Sequence, residues 1–498
     1  DTESSFLHRH LGDPAAVARD MASQIGYSTV DELINAVVPE TIRRQQPFAG
    51  LPAPKTEQQA LQALADLMHQ NQLHRSLIGA GYHECVMPPV IQRNILENPG
   101  WYTAYTPYQP EISQGRLEAC LNFQTMITEL SGLPVSNASL LDEPTAAAEA
   151  MAMCVASRRG ATRFLVSSEC HPQTIAVLRT RAEPIGIQIE VGDELSWEFD
   201  KSVAGVLLQY PGTSGGIADP SDVVAAAQQA KVKVVMACDL LALLLLKSPG
   251  EFNADIAVGS AQRFGVPLGF GGPHAGWIAC SDALKRKLPG RIVGVSRDSG
   301  GRPAYRLSLQ TREQHIRREK ATSNICTAQV LLAVIAGMYG AWHGPKGLRE
   351  IAQRVHGLAC RLAQGLADAG IQLRHEEFFD TIRIADRVDL IETALAAGFN
   401  LRQFDNGDVG IALDEISTAE ETELLLQVLT ESEVTLPAAD DCLPKSMQRQ
   451  GDLMQQSVFH AYHTETEMMR YLHRLESRDL ALNTSMIPLG SCTMKLNA

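Results

Sequence analysis

Short apolar runs alternate with longer amphipathic segments through the middle of the chain. The runs have the length of buried strands, and they lie at residues 164–167, 187–191, 203–209 and 234–239. Between them, segments such as residues 221–230 repeat apolar side chains at helical spacing. Strands that alternate with helices predict a mostly parallel sheet with helices on both faces. The pattern therefore predicts an α/β fold with a large, doubly wound domain over residues 79–329.

The start of the chain has a helical pattern instead. Asp13 and Pro14 are suited to the cap and first turn of one helix, and residues 57–70 carry leucines three residues apart. Residues 1–78 are therefore predicted to form a helical arm.

Beyond the large domain, residues 330–437 mix helical segments with short strand-like runs. Two long helices are separated at Gly344 and Pro345, since proline cannot continue a helix without disrupting it. This region is predicted to be a smaller α/β domain. Residues 438–498 are polar and helical, which favours a linker toward a further part of the protein.

Composition excludes several functional classes. The chain has 498 residues, of which 45% are hydrophobic and 20% charged, so it can bury extensive cores. Its net charge of −14 argues against a nucleic-acid surface, which needs clustered lysine and arginine. The longest candidate apolar run, residues 240–246, is too short to cross a membrane. His8 and His10 alone are weak evidence for a metal ion, and no metal site is predicted.

The ten cysteines are scattered through apolar segments without the paired spacing of metal ligands. This usage suits structural thiols in a reducing compartment, and we expect a bacterial cytoplasmic protein. The first residue is Asp rather than Met, so the mitochondrial matrix is the alternative if a transit segment was removed.

One glycine-rich turn organises the large domain. Five glycines fall within the fourteen residues from Gly259 to Gly272, directly after a strand-like run. Glycines at this density allow the backbone to approach another group closely, which is either a bound ligand or a neighbouring buried segment. The preceding strand ends in Asp239, and Gln262 follows it by 23 positions. A carboxylate and a glycine-rich turn at adjacent strand ends have the layout of a cofactor site.

The sequence of this turn, from Ser260 to His274, resembles the noncatalytic half of the glycine cleavage system P-protein family. Residues 6–12 and 81–115 resemble the same half, and residues 486–498 resemble the segment that opens the catalytic half. The resemblance implies a PLP-dependent transferase-like fold of type I, duplicated into two halves. It places Gln262 where the catalytic half has the lysine that forms the Schiff base. It also implies that residues 438–498 contain the start of a missing catalytic half.

The resemblance implies a degenerate cofactor site formed by Thr145, His171, Asp239 and Gln262. A carboxamide cannot form an imine, so pyridoxal 5'-phosphate is expected in the catalytic half and not covalently here. The helix near Thr145 corresponds to one whose N-terminus binds the cofactor phosphate. Asp142 and Glu143 add negative charge at that end. They are expected to cap the helix and to repel a phosphate.

Two further segments are expected to face the active site of the catalytic half. Tyr102, Tyr105 and Tyr108 lie on a proline-rich loop, and an aromatic packing loop is the alternative interpretation. Residues 306–324 are densely basic, and a salt-bridged, solvated face is the alternative for most of them. Within this segment we expect Arg306, Thr322 and Asn324 to face the partner half.

The function implied by the resemblance is glycine decarboxylation by the whole assembly, with transfer of the aminomethyl group to the lipoyl group of the carrier H-protein. The expected partners are the catalytic half, the H-protein and glycine, and the expected assembly is a dimer of two-half units. Two alternatives remain open: a noncatalytic interaction or regulatory subunit, and an independent PLP transaminase that uses Lys247 or Lys285.

Overall fold

The computed structural model describes residues 14–44, 46, 48–104, 107, 109–309, 314–321, 323–325 and 329–486. The chain divides into two compact units, residues 1–74 and 75–498. The described residues contain fourteen α-helices: α1 (Pro14–Gln24), α2 (Val30–Val37), α3 (Glu57–Met68), α4 (Pro89–Ile91), α5 (Pro99–Tyr102), α6 (Gln114–Ser131), α7 (Glu143–Ser157), α8 (Pro172–Ala182), α9 (Ser221–Gln229), α10 (Gln314–Arg317), α11 (Val330–Asp368), α12 (Asp389–Ala396), α13 (Ala419–Thr430) and α14 (Glu465–Glu476).

The same residues form thirteen strands: β1 (Arg75–Leu77), β2 (Val135–Ser136), β3 (Arg163–Ser167), β4 (Gln188–Gly192), β5 (Val203–Tyr210), β6 (Lys233–Cys238), β7 (Ile256–Ser260), β8 (Gly276–Cys280), β9 (Ile292–Arg297), β10 (Pro303–Ser308), β11 (Thr381–Ile384), β12 (Phe399–Gln403) and β13 (Val409–Ala412). They build a seven-stranded sheet, a four-stranded sheet and the two-stranded hairpin β9–β10.

The first compact unit contains α1, α2 and α3. Helix α3 begins with a capping box, in which Thr56 and Gln59 satisfy each other's backbone amides. Its leucines, Leu61, Leu64 and Leu67, are each more than half exposed. The unit ends at His74, four residues before the predicted boundary, because β1 pairs with β12 in the second unit.

The seven-stranded sheet has the order β2-β8-β7-β6-β5-β3-β4. Strands β4, β3, β5, β6 and β7 are parallel. Strand β8 pairs antiparallel with β7, and the edge strand β2 pairs antiparallel with β8. Alternate residues of β6 enter opposite cores: Val234 and Met236 on one face, Val235 and Ala237 on the other. The predicted α/β fold with a doubly wound, mostly parallel sheet is confirmed.

The four-stranded sheet has the order β1-β12-β13-β11 and packs with α11 and α12, and α13 packs against these two helices. Helix α11 contains a break at Gly344, where φ is 62° and ψ is 176°, followed by Pro345. Glycine adopts this conformation without a Cβ clash, which explains why the predicted helix boundary appears as a kink.

The described part of the C-terminal region, residues 438–486, is packed against the rest of this unit, whereas the sequence pattern favoured a linker there. Arg449 donates hydrogen bonds to the carbonyl oxygens of Glu129, Leu130 and Leu243, at 2.6 to 2.8 Å. The apolar face of α14 is buried, and α14 packs against α6. The average composition of this segment is polar because charged residues separate the apolar ones. The apolar residues are nevertheless three and four positions apart, so they lie on one face of a helix and can be buried.

Candidate functional site

A narrow crevice lies at the carboxyl ends of β5, β6 and β7, the usual ligand position in parallel sheets. Asp239 directly follows the last residue of β6, and Arg263 lies in the turn after β7. The crevice has a volume of about 50 Å³, which holds only a few water molecules. Its polar lining comes from both sheets and includes His83, Glu143, His171, Gln209, Thr213, Asp239, Ser260, Arg263, Asp380 and Thr381.

Gln262 does not line this crevice. It is 1% exposed, and its side chain binds the backbone of the segment that carries His83. The Oε1 atom accepts a hydrogen bond from the His83 amide at 3.0 Å, and Nε2 donates to the carbonyls of His83 and Val266 at 2.7 and 2.8 Å. This arrangement needs a donor and an acceptor on one side chain, which an amide supplies and an ammonium does not.

Arg263, the next residue, extends into the crevice and is 6% exposed. Its Nη1 atom binds the carboxylates of Asp239 and Asp380, the latter at 2.8 Å. Burial alone opposes ionisation of Asp239, but the guanidinium outweighs it and lowers the pKa of this carboxyl. Asp239 belongs to the large sheet, whereas Asp380 precedes β11 of the smaller one. Arg263 therefore links the seven-stranded sheet to the four-stranded sheet through a buried ion-pair network.

His171 and His83 are both neutral components of the crevice wall. The Nδ1 atom of His171 lies 2.8 Å from Oγ1 of Thr213, and burial lowers the pKa of His171 to about 3. His171 stands at the N-cap of α8, but its side chain does not cap the helix. Burial also lowers the pKa of His83, whose Nε2 lies 4.0 Å from Oδ2 of Asp239.

His83, Asp239 and Asp380 place three potential metal-ligating atoms within 4.8 Å of one another. Both carboxylates already bind Arg263. The guanidinium places a positive charge at the centre of this group, which disfavours a second cation there. We therefore assign the group to the ion-pair network rather than to a metal.

Side chains at the N-terminus of α7 already occupy hydrogen-bond donors that a phosphate would need. Asp142 is the N-cap residue, and its Oδ1 accepts a hydrogen bond from the Thr145 amide at 2.8 Å. Oε1 of Glu143 accepts a hydrogen bond from the Thr174 hydroxyl at 3.1 Å, and burial raises the pKa of Glu143 to about 7. An amide that would bind a phosphate is thus already engaged. Glu143 is therefore mostly neutral below about pH 7 and adds negative charge at this helix end only above it.

Pyridoxal 5'-phosphate does not fit these residues. A crevice of about 50 Å³ is far smaller than a cofactor pocket, which typically has several hundred Å³. Asp239, a member of the expected degenerate cofactor site, is paired with Arg263. The described residues that line the crevice include no lysine. Lys285 pairs with Asp282 at 2.8 Å, and Lys247 also lies outside the lining, which removes the support for a transaminase site.

The other predicted site residues do not join this crevice. Arg306 is exposed on β10, and Tyr102 is half-buried at the end of α5. Asn324 is exposed, whereas Tyr105, Tyr108 and Thr322 lie outside the described residues. Arg306 lines an open groove of about 800 Å³ beside the β9–β10 hairpin, together with Arg297, Arg302, Tyr305 and Arg478.

Sequence reasoning missed Arg263 and Asp380, the two residues that complete the ion-pair network. Arg263 directly follows Gln262 in the glycine-rich turn, so its position in the sequence could have identified it as a site residue. Asp380 lies 117 residues further along the chain, and no local pattern links it to the turn. Their pairing depends on how the two sheets are placed.

Comparisons with known proteins agree with this architecture. The model of the glycine cleavage system P-protein family matches residues 8–429. Glycine dehydrogenase (decarboxylating) from Thermosynechococcus vestitus is 56% identical over 100% of this chain, which covers 53% of that relative. The chain thus spans about half the length of the curated relatives it matches.

Solved structures show the same fold. A crystal structure of glycine decarboxylase (P-protein) in inhibitor-bound form has a TM-score of 0.77 and 36% identity, covering 83% of this chain and 97% of its own. A structure of SPT with a PLP internal aldimine has a TM-score of 0.50 and 11% identity, covering 72% of this chain and 87% of its own. The fold is that of the PLP-dependent enzymes of fold type I. The chain belongs to the glycine cleavage system P-protein family.

Proposed function

We propose that this chain is the noncatalytic half of a P-protein. In the whole protein, glycine is decarboxylated with pyridoxal 5'-phosphate held by the other half, and the aminomethyl group passes to the lipoyl group of a carrier protein. The observation that supports this division is the filled crevice. Gln262 offers no amine for an imine, and Arg263 satisfies the carboxylate that a cofactor would need.

The contribution of this half lies on its outer surface. Four arginines, at positions 297, 302, 306 and 478, line the groove beside the β9–β10 hairpin. Guanidinium groups bind carboxylates through paired N–H donors, which suits an acidic surface or substrate of the other half. In this proposal Arg306 and Asn324, together with Thr322, face the active site of the other half.

The tyrosine loop belongs to the same proposal. Tyr102, Tyr105 and Tyr108 border the catalytic centre, where aromatic rings exclude water and hydroxyls orient a carboxylate. The whole protein works as a dimer of two-half units in a bacterial cytoplasm. The eight cysteines of the described residues are free thiols, which suits that reducing compartment.

Borohydride reduction of the full-length protein tests the division of labour. Reduction fixes the cofactor to its lysine, and peptide mapping then identifies the labelled residue. We expect one labelled lysine per chain, located outside the residues of this half. A label on a lysine between residues 75 and 486 would contradict the proposal, and so would glycine decarboxylation by this half alone.

A further inference from the structure

An open cavity of about 480 Å³ lies outside both the crevice and the groove. One of its walls is a single face of α11, where Arg349, Gln353 and His356 stand three and four positions apart. Another wall is the segment of residues 439–449, which ends at Arg449. None of the described residues that line this cavity also line the crevice or the groove. A cavity of this volume can hold a small organic molecule.

Arg449 is half-buried and keeps hydrogen-bond donors available to a ligand. Its guanidinium donates to three backbone carbonyls, those of Glu129, Leu130 and Leu243. These bonds use both N–H groups of Nη1 and one of Nη2. Since a guanidinium has five donors, the Nε–H and one N–H of Nη2 remain. Nε and Nη2 are adjacent, so they can bind the two oxygens of one carboxylate.

Arg349 brings a second guanidinium to the same cavity. It is half-buried, and its Nη2 donates to the carbonyl of Gly451 at 3.3 Å, two residues beyond Arg449. In the described part of the chain, no carboxylate oxygen lies within 4.0 Å of either guanidinium. Burial lowers the pKa of Arg449, and the positive charge of Arg349 lowers it further. An anion bound by both guanidiniums would offset this repulsion.

The carboxylate of Asp441 does not cancel the charge of the arginines, because His356 neutralises it. Nδ1 of His356 lies 2.6 Å from the carbonyl oxygen of Phe379, and Nε2 lies 3.0 Å from Oδ1 of Asp441. Both oxygens accept hydrogen bonds, so both ring nitrogens carry protons and the imidazole is positively charged. The two arginines then stand against Asp440, which leaves the described lining with one net positive charge.

The rest of the cavity offers apolar contacts. Leu244 and Leu443 line it and are buried, and Leu245 lines it and is half-buried. Gln353, on the face of α11, adds an amide group. Apolar walls with a few convergent polar groups are typical of sites for small molecules.

We propose that this cavity binds an organic carboxylate, with its charged head at Arg349 and Arg449 and its apolar body against Leu245 and Leu443. One net positive charge matches a carboxylate better than a phosphate monoester, which carries nearly two negative charges at neutral pH. The paired donors of Arg449 match the two oxygens of the same group. The site is independent of the pairing of the two halves.

Isothermal titration calorimetry of the full-length protein with hexanoate tests the proposal. We expect saturable binding of one hexanoate at this site, with a Kd of about 1 mM or below. Acetate has the head without the body, and hexan-1-ol has the body without the head, so each should bind at least about tenfold more weakly. Hexyl phosphate should also bind more weakly than hexanoate. Absence of saturable hexanoate binding, or tighter binding of hexan-1-ol or hexyl phosphate, would overturn the proposal.

The Arg349→Gln variant locates the bound head. Glutamine keeps a donor for the Gly451 carbonyl but carries no charge, so the affinity for hexanoate should fall by about tenfold to a hundredfold. Arg349→Lys keeps the charge without the paired donors and should lose less. The matched control is Arg302→Gln, which removes an exposed arginine of the groove and should leave the affinity unchanged. Unchanged affinity in Arg349→Gln, or equal losses in Arg349→Gln and Arg302→Gln, would show that hexanoate binds elsewhere and would overturn the proposal.

Discussion

The crevice at the strand ends and the groove beside the β9–β10 hairpin differ in volume and in the use of charge. The crevice measures about 50 Å³, and its arginine is paired with two carboxylates. The groove measures about 800 Å³ and is lined by four arginines, of which Arg302 pairs with Asp298 and Arg478 pairs with Glu118. In this half, the usual ligand position of the fold has become part of the core, whereas charge available to a partner lies on the surface.

The largest effect is expected for Arg263→Ala. The substitution leaves Asp239 and Asp380 buried together without their shared cation, and removing one member of such a network costs about 3–5 kcal/mol. Urea unfolding of this half at neutral pH measures the loss. The control is the triple variant that adds Asp239→Asn and Asp380→Asn, which removes the stranded charges and should recover much of the stability. A single variant as stable as the wild type would show that the crevice is not held by this network.

Glu143 should make stability depend on pH. Its pKa is about 7 in the folded protein, against an ordinary value of 4.5, so the folded state binds this proton more tightly. The contribution is fully present below pH 4.5 and is lost as the pH rises to about 7, a total of about 3 kcal/mol. Glu143→Gln should therefore equal the wild type near pH 4.5 and exceed it in stability above pH 7. Urea unfolding of both proteins across this range checks the difference, which a pH-independent gap would contradict.

The Gln262→Lys variant is expected to lose about 1–3 kcal/mol, because the buried His83 amide loses its acceptor. Restoring the amine should not restore cofactor binding, since Arg263 still fills the crevice and Asp142 still caps α7. Absorbance spectra with added pyridoxal 5'-phosphate, followed by borohydride reduction, should reveal no adduct on residue 262. A stoichiometric adduct there would mean that the crevice opens more readily than its contacts indicate.

Much of the fold could be predicted because it is encoded locally. The strands at 203–210 and 233–238 follow from continuous apolar runs, and the break at Gly344 follows from one dipeptide. Only part of the candidate site could be predicted from such local patterns. Asp239 and Gln262 stand in recognisable local patterns, but the partners of Arg263 and the packing of residues 438–486 depend on contacts between distant segments. Side-chain pairing across two sheets leaves no periodic signal in either one.

The smallest effect is expected at the groove. Arg306 is exposed on β10, and an exposed charge contributes about 0.2–1 kcal/mol to an interaction, or a factor of about 1.4 to 5. In the full-length protein, Arg306→Ala should lower glycine turnover by this factor at low ionic strength and have little effect at high ionic strength, because salt screens exposed charges. Arg302→Ala is the matched control, since its guanidinium pairs with Asp298 at 2.9 Å and is less available to a partner. Equal losses in both variants would indicate a general effect of positive charge. Unchanged turnover in both would mean that the groove does not face the reacting half, and it would favour a purely structural role for this surface.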